Sequence, residues 1–180
     1  MILDPRASAL VVVDVQAKLA PAVAGGAAAV AAIGRLIDGA RLAGVPVLAT
    51  EHYPKGLGPT VPELAARLAP AEIHEKIHFD ALREAPIAAA LRGLDRRQLL
   101  FVGAEAHVCV LQSALGAVRE GFTPFVVADA VASRTAENRA AGLDRLRGEG
   151  VRVVTAEMVL FEWAERGGTE LFRSMLALIR

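Results

Sequence analysis

The sequence predicts a three-layer, doubly wound α/β domain, with a mostly parallel six-stranded sheet and helices on both faces. Three observations predict it. Short runs rich in Val, Leu and Ile alternate with longer, Ala-rich amphipathic segments, the signature of strand–helix–strand units. The runs ALVVVD, PVLAT and QLLFV are almost continuously apolar, as strands covered on both faces must be. Helical segments stop at glycine just before the next strand in LAGVPV, LRGL, REGFTP and RGEGVRV. Glycine takes the left-handed backbone that closes a helix at no steric cost.

In chain order the predicted strands are Ala9–Asp14, Pro46–Thr50, Ile73–Lys76, Gln98–Val102, Pro124–Ala128 and Arg152–Thr155. Predicted helices cover Ala27–Ala43, Val61–Leu68, Ala85–Gly93, Val108–Glu120 and Ala136–Gly148, with two more near Glu157–Glu165 and Thr169–Ile179. The segment TEHYPKGLGPTVP leaves the end of the second strand as a long Pro- and Gly-rich loop, placed to wall an active site. No repeat or linker interrupts the chain, so residues 1–180 are read as one domain.

Composition narrows the function. Twenty basic and twenty acidic residues cancel, and aromatic residues make up 4%. Neither an electrostatic footprint for nucleic acid nor a base-stacking platform is expected. One cysteine forms no internal disulfide, which argues against a disulfide-stapled secreted domain. The opening MILDPRAS lacks the apolar run of a signal peptide. The charge-free stretch 19–34 is mostly Ala and Gly and falls short of the about 20 strongly apolar residues a membrane span needs. A cytoplasmic protein is expected. The hydrophobic fraction of 54% points to a homo-oligomer, dimer or tetramer.

Right-handed crossovers put ligand chemistry at the carboxyl ends of the strands. Three ionisable residues fall there: Asp14 and Lys76 at the ends of the first and third strands, and Cys109 one turn after the fourth. With the strand order reversing beside the first strand, the first and fourth are neighbours, and Lys76 reaches in from further off. Singly, each has an ordinary reading: a turn-capping aspartate, a snorkelling lysine, a buried cysteine. Together they form an activated nucleophile. The carboxylate accepts the thiol proton, while the ammonium and a helix amino terminus favour the thiolate. Other chemistries of this architecture fail at specific positions. DVQAKLAP after the first strand is neither GxxxxGK[ST] nor GxGxxG. Gln16 stands where a phosphoaspartate phosphatase has its second aspartate, and Lys76 where a receiver domain has one. His74 and His78 flank a strand end and do not share a helical face, so neither a metal nor a cofactor is expected.

VVVDVQ, the lysine of HEKIHFDAL, and GAEAHVCVLQSAL followed by VVADAVASR resemble the isochorismatase-like cysteine hydrolase superfamily over residues 8–165. TEHYPKGLGPTVPEL and the ending ELFRSMLALIR are similar to its small isochorismatase-domain branch. The resemblance implies a triad of Asp14, Lys76 and Cys109. It also implies a cis peptide at Ala104–Glu105 that turns the N–H groups of Glu105 and Cys109 into an oxyanion hole. Nicotinamidases of the family hold a metal through an aspartate and two histidines, and only His52 is present in the matching loop. True isochorismatases lack the cysteine. The expected function is hydrolysis of a small amide or related C–N bond through an acyl-enzyme, with a small molecule as the only non-self partner. The alternative is an idle relative that acts by assembly or ligand binding. His52, Tyr53, Leu57 and Phe79 are candidate pocket residues. Ser133 and Arg134 lie just past the fifth strand, where arginine either holds a substrate carboxylate or caps the loop.

Overall fold

A computed structural model describes residues 1–179. Six strands form one parallel sheet: β1 (Ser8–Val13), β2 (Val47–His52), β3 (Ile73–Lys76), β4 (Gln98–Ala104), β5 (Thr123–Ala132) and β6 (Arg152–Val154). Their spatial order is β3-β2-β1-β4-β5-β6, so the order in which strands are added reverses between β1 and β4. Strand periodicity divides the core between two faces. Leu10 and Val12 of β1 pack into one cluster with Leu100, Val102 and Phe125. Ala9, Val11 and Val13 pack into the other with Leu99, Phe101 and Val126. Because both faces are covered, β1 is buried at every position.

The first face is covered by α1 (Gly26–Ala43), α7 (Ala156–Ala164) and α8 (Glu170–Ile179), whose side chains include Leu36, Trp163 and Met175. The second is covered by α4 (Ala85–Gly93), α5 (Leu111–Arg119) and α6 (Ala136–Gly148). Helix α1 ends where expected: Gly44 has φ 67° and its N–H bonds the carbonyls of Ala40 and Arg41. Two single-turn helices, α2 (Pro54–Leu57) and α3 (Pro62–Ala65), interrupt the long loop after β2.

Most boundaries shift by one or two residues from the sequence reading, Asp14 falling just outside β1 and β2 running on to His52, and three elements depart further. Helical structure in Val61–Leu68 contracts to α3. The predicted helix Val108–Glu120 divides into a π-helical turn, Ala106–Val110, and α5. The Glu105 carbonyl accepts Val110 N–H, five residues on, at 3.2 Å, besides Val108 N–H at 3.0 Å, and the five-residue bond makes the turn wider than an α-turn. Strand β5 runs on to Ala132 through a bulge, where its register with β4 shifts between Phe101 and Gly103. The guanidinium of Arg139 donates to the carbonyls of Ala128 and Val131 there, satisfying acceptors the ladder leaves open. The bulge carries Ser133 and Arg134 to the mouth of the sheet.

Candidate active site

Asp14 is the first residue past β1. Its backbone is left-handed (φ 52°) and its N–H donates to the carbonyl of Thr50, 3.0 Å away, which turns the carboxylate over the sheet edge. Oδ1 accepts the Thr50 hydroxyl at 2.7 Å. Oδ2 faces Nζ of Lys76 at 2.7 Å, and neither side chain has any exposure. Apart from the Lys76 ammonium, Oδ2 has no partner within the described residues. That oxygen is the one free to take a proton.

Lys76 comes from β3, two strands away from β1, and is 2% exposed. Its Nζ also donates to the carbonyls of His78 (3.1 Å) and Phe79 (3.5 Å), so the loop after β3 shapes its socket. That loop is pinned by Glu84, whose Oε1 accepts Ile77 N–H, His78 N–H and pairs with His78 Nδ1, at 2.9, 3.0 and 2.8 Å. These hydrogen bonds pull the Glu84 carboxyl down to about 2. In the unfolded chain it titrates near 4.5, so the unfolded state binds the extra proton as pH falls through that window. The contribution of Glu84 to stability is therefore present above pH ~4.5 and lost towards pH ~2. Urea denaturation of Glu84→Gln at pH 7 and pH 3 is expected to show less pH sensitivity than the wild type.

Cys109 sits in the π-helical turn and is 6% exposed. The peptide Ala104–Glu105 before it is cis. The Glu105 carboxylate is clasped by Arg134, with Nη2–Oε1 at 2.7 Å, Nε–Oε2 at 3.1 Å and the Arg134 N–H on Oε2 at 2.7 Å. These bonds hold the Glu105 carboxyl below the usual carboxylate range. Arg134 is thus engaged within the protein, as a clasp on the turn that carries the nucleophile. Gly142 of α6 makes room for that turn, since a Cβ there would lie 2.9 Å from His107 Cα. His107 Nδ1 in turn lies 3.1 Å from the Ser133 hydroxyl.

The structure brings Asp14, Lys76 and Cys109 together from three strand ends. It reverses one expectation about them. Burial pushes the Cys109 thiol up to about 12, the adjacent Asp14 carboxylate adds to the rise, and Lys76 only partly opposes it. The resting group is a protonated thiol, because desolvation penalises the anion more than one ammonium stabilises it. Of the pocket candidates, His52 and Phe79 meet beside the triad, ring centroids 5.2 Å apart. Tyr53 is half exposed, and its ring lies against Gly56. Leu57 is half-buried, with its carbonyl accepting Lys18 N–H at 3.0 Å.

Sequence reasoning missed three groups: Thr50, Glu84 and the side-chain role of Gln16. Gln16 is fully buried. It accepts His52 N–H at 2.8 Å and donates to the carbonyls of His52 (3.1 Å) and Gly58 (2.7 Å). Its signal was a second polar residue inside the apolar run VVVDVQ. Thr50 and Glu84 carry no comparable signal.

A doubly wound sheet with a carboxylate, an ammonium and a thiol gathered at its switch point defines a class of α/β protein. The chain belongs to the isochorismatase family: the model of the isochorismatase domain matches residues 8–158. It is 35% identical over 179 residues to isochorismatase domain-containing protein 2 of Danio rerio, covering 98% of this chain and 89% of that one. The solved structure of MAR1 ribonuclease from Caenorhabditis elegans is 33% identical, with a TM-score of 0.93 over 99% of this chain and 92% of that one. The YcaC gene product of Escherichia coli, described as an octameric hydrolase of unknown specificity, is 27% identical, with a TM-score of 0.90 over 99% and 89%. Among the described residues, no helix is long and apolar enough to cross a membrane, and no three metal-ligating side chains converge.

Proposed function

We propose that the chain is a cysteine-dependent hydrolase of a small amide or related C–N bond. The observation that carries the reading is the buried Asp14–Lys76 ion pair set against the Cys109 thiol. Asp14 Oδ2 takes the thiol proton as sulfur attacks the carbonyl carbon, and Lys76 stabilises the developing thiolate. The N–H groups of Glu105 and Cys109 receive the oxyanion, each such donor being worth about 3–4 kcal/mol. Collapse breaks the C–N bond, and the proton held by Asp14 goes to the leaving nitrogen. Water then attacks the thioester, Asp14 takes its proton, and the acid and the thiol are released. A thiol this buried suits a small substrate that enters and excludes water. The hydrolase description of the E. coli relative supports the reaction class, and its octameric state supports a homo-oligomer.

The low exposure and raised pKa of Cys109 favour a second reading, an idle fold acting through assembly. The ribonuclease in a relative's name gives a third outcome to the same test. Ammonia release from a panel of small amides is expected from the wild type and to fall by about 10³-fold or more in Cys109→Ser. A labelled RNA oligonucleotide is expected to stay intact in both. No ammonia release and no acyl adduct by intact mass would put the idle reading first. RNA cleavage that depends on Cys109 would replace the amide reading.

A further inference from the structure

His52 stands in the site with a polar atom that the protein leaves without a partner. Its Nδ1 is buried and makes no hydrogen bond within the chain. The backbone around it is fixed. Gln16 bonds both its N–H and its carbonyl, and Lys76 is its register partner across β2–β3. Side chains alternate along a strand and paired residues share a face, so His52, Thr50 and Lys76 project from the same face of the sheet. That is the face on which Thr50 and Lys76 grip Asp14. Phe79, whose carbonyl faces Lys76 Nζ, stacks on the ring and fixes its plane.

Burial lowers the pKa of the ring, and the nearby Lys76 ammonium lowers it further, which favours the neutral imidazole. A neutral imidazole has one N–H and one lone pair. An unpaired N–H is the costlier group to bury, so the proton belongs on Nε2 and the shielded Nδ1 presents the lone pair. A buried acceptor with no donor is a deficit that a bound molecule can repair.

We infer that His52 Nδ1 accepts a hydrogen bond from the amide N–H of the substrate, so that the site selects carboxamides bearing at least one N–H over the matching esters. The inference rests on the hydrolase reading above and adds the group that reads the leaving nitrogen. Sites built to hydrogen-bond a substrate N–H reject analogues lacking it, because the buried partner is then left unpaired.

The test uses two electrophiles of the same size, N-methylacrylamide and methyl acrylate, which differ only in N–H against O. Each alkylates a thiol by conjugate addition: sulfur bonds to the β-carbon, the α-carbon takes a proton, and nothing leaves. Rates of Cys109 modification are read by intact mass and divided by the rates of free cysteine. Each variant is also normalised to its own reaction with methyl methanethiosulfonate, which has no N–H. The wild type is expected to prefer the amide by about five- to tenfold beyond free cysteine, the range of one neutral hydrogen bond. His52→Leu should lose that preference, and His52→Gln, which restores an acceptor, should keep most of it. The same normalised preference in wild type and His52→Leu overturns the inference while leaving the hydrolase reading intact. Methyl methanethiosulfonate capture that ignores Lys76→Met, or no capture at all, overturns the hydrolase reading and this inference with it.

Discussion

Lys76→Met is expected to destabilise the fold by about 3–5 kcal/mol, the range for removing one member of a buried ion pair. The loss comes less from the missing attraction than from what is left behind. Asp14 has no exposure, so once the ammonium is gone its charge is neither solvated nor neutralised, and only the Thr50 hydroxyl still donates to it. The double variant Asp14→Asn, Lys76→Met removes both charges at once. It is expected to recover to within about 1 kcal/mol of the wild type, because replacing a buried pair by neutral groups of similar volume is often neutral. Activity should stay absent in both. Urea unfolding of the two variants beside ammonia release checks this. A double variant as unstable as the single one would mean that the pair supports the fold by more than charge balance.

Asp14→Asn alone is expected to make Cys109 react faster while abolishing turnover, and Lys76→Met to make it react more slowly. The signs follow from the two neighbours. The Asp14 carboxylate raises the thiol and the Lys76 ammonium lowers it, so deleting the carboxylate favours the thiolate and deleting the ammonium disfavours it. Each unit of thiol pKa is worth a factor of about ten in thiolate population below the pKa. In the wild type, with the thiol near 12, capture by methyl methanethiosulfonate should still be climbing at pH 10. Under the same conditions Asp14→Asn should run above the wild-type curve and Lys76→Met below it. A wild-type plateau near pH ~8.5, where free thiols titrate, would show that Cys109 does not feel the pair at all. The opposing reactivities separate an electrostatic triad from three residues that merely pack together.

Much of this was legible in the chain before folding. Strand β3 and helices α4 and α6 fall on their predicted residues; α4 has Pro86 in its first turn and ends at Gly93, and α6 starts at a Thr135 cap and ends at Gly148, signals that bound a helix sharply. A doubly wound sheet whose order reverses beside the first strand sets the first and fourth strands side by side and the third further off, and the observed order agrees, so Asp14 and Cys109 follow neighbouring strands. What stayed hidden depends on distance and burial. The π-helical turn at Ala106–Val110 rests on the Val110 N–H reaching the Glu105 carbonyl five residues back, which no spacing of Ala, His, Val and Cys announces. Glu84 acts on Lys76 only through main-chain groups of the intervening loop. The state of the thiol was misjudged because sequence shows which charges are present but not how dry they are. An ammonium and a helix amino terminus argue for thiolate, and near-complete burial outweighs them.

Lys76 is carried by an edge strand. β3 is four residues long and pairs with β2 alone. Short edge elements exchange their amides and fray at lower free energy than central ones. Detachment of that margin would withdraw the cation while β1 and β4, in the middle of the sheet, still hold Asp14 and Cys109. Hydrogen exchange at Ile73–Lys76 would then track inactivation on warming, and the protein would lose its chemistry in a sub-global opening, well before the cooperative melt of its core.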